Sequence, residues 1–162
     1  AMARGLASFR PSAMRMHFVQ APRGFTVIDD TYNANPASVR CAIDAALQHA
    51  AQRRVIAILG DMLELGDAAA AGHAELGEYA VYAGVSGLVT VGPLAALAAE
   101  SAVQAGLDSR RCRACHDNAS AAQAATEMAN AGDVILVKGS RGMRMEQIVS
   151  ALAESPDDSG DR

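Results

Sequence analysis

The sequence predicts an α/β fold with a mostly parallel sheet flanked by helices and an antiparallel hairpin at its N-terminal end. Short runs of apolar, often β-branched residues alternate with longer segments of helical periodicity. Most of these runs end in glycine or in polar residues, as is typical where a buried strand leads into a helix. The first two runs are separated by only four residues, a spacing that suits a hairpin and not a helical crossover.

The first elements are a hairpin and a helix. His17–Gln20 and Phe25–Ile28 are predicted strands, and the Ala-Pro-Arg-Gly segment between them, residues 21–24, has turn composition. A helix is predicted over Pro36–Ala50 because its apolar residues recur at helical spacing. Asn35 is a good N-cap, and the proline at the first helical position has no N–H to leave unpaired.

The alternation continues along the rest of the chain. Compact apolar runs predict buried parallel strands, and alanine-rich segments predict helices. The predicted strands are Val55–Leu59, Leu88–Val91, Arg111–Ala114 and Val134–Val137. The predicted helices are Gly72–Ala83, Leu94–Ala105, Asn118–Ala129 and Glu146–Ala153, the third of them capped by Asn118.

Length and composition bound the class of protein. The 162 residues suffice for one domain, and 51% hydrophobic with 20% charged residues fits a soluble globular chain. The net charge of -4 argues against nucleic acid as a partner, and no apolar run approaches the roughly 20 residues that span a membrane. The first 15 residues lack the apolar core of a signal peptide, so a cytoplasmic location is expected. The acidic residues 155–162 are predicted to form a disordered tail.

The three cysteines are expected to be reduced thiols. Two of them form a Cys-x-x-Cys-His pattern, residues 112–116, which matches covalent haem attachment. Haem attachment needs export and a second axial ligand, and neither is indicated. Zinc would need four ligands in paired spacing. The favoured interpretation is an edge strand with incidental thiols.

Three polar segments follow predicted strands, where ligands of open α/β sheets bind. The first, Asp29 to Pro36, packs two carboxylates, two carboxamides and two hydroxyls into eight residues. Turn and capping chemistry explains part of it, above all Asn35. Two adjacent aspartates cannot both cap one helix, and a carboxylate at this place suits the hydroxyl groups of a ribose.

The second segment is Gly60 to Gly66, and the third is Lys138 to Gly142. The composition of the second segment is equally typical of an ordinary strand–helix loop. Asp61 and Glu64 in this segment, and His73 beyond it, are still candidates for a role in a site. The third combines two cations, a hydroxyl and flexible backbone N–H groups. Groups of this kind bind a carboxylate or phosphate. No phosphate-loop or dinucleotide-binding glycine motif occurs, and no catalytic triad can be read from spacing.

Taken together, DDTYNANP (29–36), ILGDMLELG (58–66), His73 and LVKGSR (136–141) resemble, in the same order, the MurF-type Mur ligases. The similarity runs from about Arg10 to Leu152. These enzymes add D-alanyl-D-alanine to UDP-N-acetylmuramoyl-tripeptide during peptidoglycan precursor synthesis.

The resemblance implies an enzyme of three domains. An N-terminal domain holds the UDP-linked precursor, a central domain carries the ATP-binding phosphate loop, and a Rossmann-like C-terminal domain presents the dipeptide. ATP phosphorylates the terminal carboxylate of the tripeptide, and the amine of the dipeptide attacks the acyl phosphate. Magnesium is required, with ligands mainly in the central domain, so no metal site is expected in this chain. The resemblance identifies residues 14–154 with the third domain and residues 1–13 with a linker.

The resemblance also suggests site residues. Asp30 matches the carboxylate that meets the ATP ribose, and Tyr32, Asn33 and Asn35 match the junction between nucleotide and dipeptide. Arg15 matches an arginine that reaches the ATP phosphates when the domain closes.

The chain departs from the family pattern before Arg15, where the family usually has glycine and this chain has Met14. Lys138, Ser140 and Arg141 would suit the carboxylate of the dipeptide. Two alternatives stay open: another amide ligase of the superfamily, such as one that extends folate with glutamate, or a nucleotide- or peptide-binding module without catalysis. On the main hypothesis the chain is part of a larger ligase and is inactive alone.

Overall fold

A six-stranded sheet forms the centre of the structure, a computed structural model that describes residues 14–154. The sheet order is β1-β2-β6-β3-β4-β5, with β1 antiparallel to β2 and all other neighbours parallel. The predicted mostly parallel sheet with an N-terminal hairpin is therefore confirmed. The strands are β1 (His17–Gln20), β2 (Thr26–Asp29), β3 (Val55–Gly60), β4 (Gly87–Val91), β5 (Cys112–Cys115) and β6 (Val134–Lys138).

Helices cover both faces of the sheet. They are α1 (Pro36–Ala50), α2 (Ala69–Ala83), α3 (Ala95–Gln104), α4 (Asn118–Met128) and α5 (Glu146–Ala153). Residues of α1, α2 and α3 pack with one set of strand side chains, and residues of α4 and α5 pack with the other. Successive residues of β3 alternate between the two cores and all six are buried, as the unbroken apolar run predicts.

The N-terminal hairpin is closed by the predicted turn. Gly24 N donates to Ala21 O at 2.9 Å, and Ala21 N donates to Phe25 O at 3.0 Å. Gly24 has φ of +89°, a left-handed conformation that glycine adopts without steric cost. Strand β2 lies one residue later than predicted, because Phe25 pairs in the turn and Asp29 continues the ladder opposite Val137.

One predicted helix start and one predicted N-cap differ from the structure for identifiable reasons. Helix α2 begins at Ala69 instead of Gly72, because three alanines extend it after a single 3-10 turn at Gly66–Ala68. The predicted capping of α4 by Asn118 is wrong. Asp117 is the N-cap, with extended backbone and a side chain that accepts from Ser120 N at 2.7 Å.

Asn118 serves instead as a link between α4 and the segment that precedes α5. Its amide nitrogen donates to Met143 O at 3.0 Å and to Gln147 Oε1 at 3.0 Å. The local sequence offers two adjacent capping side chains, and this contact with residues 25 or more positions away decides between them.

The topology opens a crevice at the carboxyl end of β6. The helices that follow β2 and β3, its two neighbours, lie on one face of the sheet, and the helix that follows β6 lies on the other. Segments that leave neighbouring strands toward opposite faces diverge, and ligands of open α/β sheets bind there. The three polar segments noted in the sequence are those that leave β2, β3 and β6.

Within residues 14–154, none of the helices combines the length and the apolar character needed to cross a membrane. The linker predicted over residues 1–13 and the tail predicted over residues 155–162 lie outside the described residues.

Candidate functional site

The two aspartates at the end of β2 have different surroundings. Asp29 is buried, and its Oδ1 accepts from Thr31 N at 3.2 Å and from Thr31 Oγ1 at 2.7 Å. This carboxylate stabilises the turn that leaves the strand. Asp30 faces the crevice instead, and its Oδ1 accepts from Met16 N at 3.1 Å.

Lys138, the last residue of β6, forms an ion pair with Asp30. Its Nζ lies 2.6 Å from Asp30 Oδ2 and donates to Asn33 O at 2.8 Å. The side chains of the lysine and the aspartate are only 4% and 14% exposed. The Coulomb attraction within a charge pair this close and this shielded from water is far stronger than that within a surface salt bridge.

Arg15 and Tyr32 lie at the outer edge of the crevice that Asp30 faces. The Arg15 guanidinium carbon lies 4.1 Å from the centroid of the Tyr32 ring, within range of a cation–π contact. Tyr32 is 49% exposed, so its ring remains open to a stacking partner. Tyr32 N donates to Met14 O at 3.0 Å, which ties the two chain segments together.

Met14 has φ of +72°, in the left-handed region that favours glycine. A side chain in this conformation costs roughly 1–2 kcal/mol. Methionine thus occupies a position where the resemblance calls for glycine, and it adopts a backbone conformation that glycine adopts freely. The substitution does not prevent Arg15 from reaching Tyr32.

These side chains line one open pocket of about 370 Å³. Its lining consists of Arg15, Asp30, Tyr32, Asn33, Asn35, Ser38 and Lys138. Every residue that the resemblance suggested for ATP binding is among them. The pocket also contains Lys138, which the resemblance suggested for the dipeptide, and Ser38, which neither the sequence nor the resemblance suggested.

Asn35 and Ser38 form a capping box at the start of α1. Asn35 Oδ1 accepts from Ser38 N at 2.8 Å, and Asn35 N donates to Ser38 Oγ at 3.1 Å. The capping role predicted for Asn35 is confirmed. The spacing of three residues between two capping side chains is the signal that would have found Ser38.

Ser140 and Arg141 lie on the opposite side of β6, toward β3. Ser140 is buried, its Oγ accepts from Leu63 N at 2.9 Å, and its N–H donates to Asp61 O at 3.1 Å. Arg141 is exposed, with one guanidinium nitrogen 3.0 Å from Glu146 Oε2. These two residues lie apart from the contacts that Lys138 makes, so the Lys-Gly-Ser-Arg segment faces two neighbouring strands at once.

His73 connects α2 to the loop after β3. Its Nε2 accepts from Met62 N at 2.9 Å, and its Nδ1 lies 2.6 Å from Ala69 O. Both bonds together require the neutral tautomer with the proton on Nδ1. The ring is 2% exposed, so both nitrogens are engaged inside the protein. Glu64, which the sequence analysis named beside Asp61 and His73, is exposed on the loop after β3.

Asp61 is buried at the meeting point of three loops. Its Oδ1 accepts from Ala95 N at 2.6 Å at the start of α3, and its N–H donates to Val91 O at 3.2 Å. The carboxylate thus caps a helix that has no capping side chain of its own. A Cβ on Gly92, which has φ of +104°, would lie 2.5 Å from Asp61 Cγ.

We expect Asp61→Ala to lower the free energy of unfolding by about 2 kcal/mol, because it leaves a buried helix-terminal N–H unpaired. Asp61→Asn keeps an acceptor oxygen in the same place and is expected to cost less than half as much. Urea unfolding followed by circular dichroism measures both. Equal losses for the two variants would contradict the capping role.

The cysteine pair lies on β5, which is an edge strand as predicted. Cys112 Sγ contacts Ala99 O at 3.5 Å, and partial burial raises the pKa of the thiols of Cys112 and Cys115. Within residues 14–154, no three His, Cys, Asp or Glu side chains come together in a way that could hold a metal ion.

The fold and the site together define a class: an open α/β domain with a charged pocket between β2 and β6, at the carboxyl edge of its sheet. Residues 14–141 match the family model described as Mur ligase, glutamate ligase domain. The chain belongs to this Mur ligase family.

Relatives and solved structures agree with the family. The chain is 36% identical to the UDP-N-acetylmuramoyl-tripeptide–D-alanyl-D-alanine ligase of Bacillus subtilis over 95% of its own length and 34% of the relative's. It is 30% identical to the Escherichia coli enzyme of that name, over 93% and 32%. The chain thus spans about a third of the length of the curated relatives it matches.

Two solved structures are similar in fold. MurF from Acinetobacter baumannii gives a TM-score of 0.79 at 32% identity, covering 94% of this chain and 33% of that one. MurF ligase from Thermotoga maritima in complex with ADP gives 0.75 at 27% identity, covering 91% and 32%.

Proposed function

We propose that this chain is the C-terminal domain of an ATP-dependent ligase that joins D-alanyl-D-alanine to UDP-N-acetylmuramoyl-tripeptide. One observation carries the proposal. Two of the three polar segments that resemble the MurF-type ligases, about 100 residues apart in the sequence, lie next to each other at the carboxyl edge of β2 and β6, where Lys138 and Asp30 are in contact. Relatives of that name and a similar structure with bound ADP support it.

We assign the pocket between β2 and β6 to the nucleotide. The exposed ring of Tyr32 offers a stacking surface for a base, and the carboxylate of Asp30 offers acceptors for ribose hydroxyls. Arg15, held over the ring, supplies a guanidinium for phosphate oxygens. Asn33 and Asn35 complete the lining. We place the magnesium ligands in another part of the enzyme.

The Lys-Gly-Ser-Arg segment provides the second half-site, for the dipeptide carboxylate. Arg141 is exposed and can form a bidentate contact with a carboxylate once it leaves Glu146. Holding the dipeptide here directs its amine toward the carboxyl carbon of the tripeptide. In the proposed reaction that carbon is activated as an acyl phosphate, the amine forms the amide bond, and inorganic phosphate leaves. A domain that closes over this centre excludes water and strengthens its electrostatics.

The proposal assigns the other binding functions of the enzyme to further domains. We assign the UDP-linked substrate and the phosphate loop to N-terminal and central domains, with residues 1–13 as the linker to them and residues 155–162 as a tail. On this view residues 14–154 are inactive by themselves. A cytoplasmic location is part of the proposal, because the proposed reaction uses ATP and a UDP-linked precursor.

The half-sites are tested by nuclear magnetic resonance on the isotope-labelled 162-residue chain. Mg-ATP is expected to shift backbone amides in residues 30–35, and D-alanyl-D-alanine those in residues 138–141, both with millimolar affinity. Tyr32→Ala should weaken the nucleotide effect at least fivefold, since stacking is lost. Tyr82→Ala, at an 84% exposed tyrosine on α2, is the matched control and should leave it unchanged.

The activity itself is tested by phosphate release from the full-length protein with ATP and UDP-N-acetylmuramoyl-tripeptide. Turnover should depend on D-alanyl-D-alanine. Turnover with glutamate or another single amino acid instead would assign the chain to a related ligase of the superfamily. Binding of both ligands to a full-length protein that never releases phosphate would make it a binding module.

A further inference from the structure

We propose that Lys138 is a positioning residue of the nucleotide half-site, where its ammonium fixes Asp30 and the loop that carries Tyr32, and that it does not bind the dipeptide carboxylate. This inference rests on the proposed function and changes one of its parts. The resemblance places Lys138 with Ser140 and Arg141, whereas the contacts of its side chain place it with Asp30.

The direction of the side chain is the first argument. Neighbouring residues of a strand point to opposite faces, and Lys138 ends β6 on the face where α1 packs. Its ammonium reaches Asp30 and Asn33, which follow β2. Ser140 turns to the other neighbour of β6 and accepts from Leu63 N, which follows β3. The two polar side chains therefore contact the loops that follow two different neighbours of β6.

The second argument is the number of hydrogen bonds that the Lys138 ammonium already donates. An ammonium has three N–H groups, and two of them are used by Asp30 Oδ2 and Asn33 O at 2.6 and 2.8 Å. The lysine side chain is only 4% exposed. If it turned to a dipeptide carboxylate, it would leave the largely buried Asp30 carboxylate without its counter-charge, which is unfavourable in a poorly hydrated place.

The third argument is what the ammonium holds in place. Asp30 is fixed through both oxygens, one by Lys138 and one by Met16 N. Asn33 is fixed through its carbonyl oxygen. Tyr32, between them, receives the Arg15 guanidinium on its ring. One buried cation thus sets the orientation of the groups that we assign to the ribose, the base and the phosphates.

The decisive measurement compares the change in KM for ATP with the change in KM for D-alanyl-D-alanine in the full-length protein. Lys138→Met removes the charge and keeps the length of the side chain. We expect it to raise KM for ATP at least tenfold and to change KM for D-alanyl-D-alanine less than twofold. Arg141→Met, a cation removed three residues away, is the matched control and should show the reverse pattern. A rise in the dipeptide KM alone for Lys138→Met would overturn the inference.

A binding measurement separates this inference from the proposed function. The Kd of a fluorescent Mg-ADP analogue for the full-length protein requires no ligation, so it tests Lys138 even if D-alanyl-D-alanine proves not to be the acceptor. Lys138→Met should weaken binding at least tenfold. In the Asp30→Asn background the same change should matter less than twofold, because the lysine acts through that carboxylate. This double variant also has no unpaired charge, which guards against simple unfolding. An undiminished tenfold effect in that background would refute the positioning role.

Discussion

Gly77→Ala is expected to lower the free energy of unfolding by about 3 kcal/mol, at the upper end of the cost of overpacking a core. Gly77 is buried in the middle of α2, where α3 crosses it. A Cβ at this position would overlap the carbonyl oxygen of Ala98 and would lie 2.8 Å from its carbonyl carbon and 2.9 Å from its Cα. These are backbone atoms, so no side-chain rotation can relieve the overlap and the two helices must separate.

Gly72→Ala is the matched control, the same change in the same helix. Its Cβ would meet only the end of the Leu65 side chain at 3.1 Å and Pro36 Cγ at 3.8 Å. Alanine is the better helix former by up to about 1 kcal/mol, so this variant should be neutral or more stable. Chemical denaturation of both variants, followed by circular dichroism, makes the comparison. Equal stability of the two would contradict the close helix crossing.

His73→Ala is expected to cost about 3 kcal/mol of unfolding free energy. It leaves the N–H of Met62 without its partner in a buried place, and it opens a cavity. The control is His116→Ala, an exposed histidine after β5. It should change stability by less than about 0.5 kcal/mol, as is usual for surface positions.

The same variant distinguishes a structural from a chemical role of His73. The sequence made it a candidate for the site, but both ring nitrogens are engaged with backbone groups. Assayed well below its unfolding temperature, the full-length His73→Ala protein should keep kcat within about threefold of the unchanged protein. A loss of 100-fold or more in kcat, in a protein shown to be folded, would mean that His73 acts on the reaction itself.

Local chemistry alone predicted the polar segments, and the resemblance suggested the roles of their residues. Two adjacent aspartates cannot both cap the helix that follows. In the structure Asp29 stabilises the turn after β2, and Asp30 faces the crevice. Asn35 before a proline predicts the start of α1, and it is the N-cap. Signals of this kind act within a few residues, so the sequence displays them directly.

Contacts across the sheet could not be predicted in this way. Val134–Val137 is predicted as one more buried strand, and nothing in its sequence indicates that β6 lies between β2 and β3. That position in the sheet order decides that Lys138 meets Asp30, 108 residues away, and that Ser140 meets Leu63, 77 residues away. The choice of Asp117 over Asn118 as the cap of α4 has the same origin, since Asn118 is engaged with residues near α5.

The sequence by itself therefore determined the elements, the fold class, the three polar segments and the family resemblance, because periodicity, capping and turn chemistry are properties of neighbouring residues. The tertiary structure alone decided which charges pair, which candidates are buried supports and which face the crevice. Strand order and the direction of each side chain are settled by packing among distant residues, and the pairing of Lys138 with Asp30 depends on both.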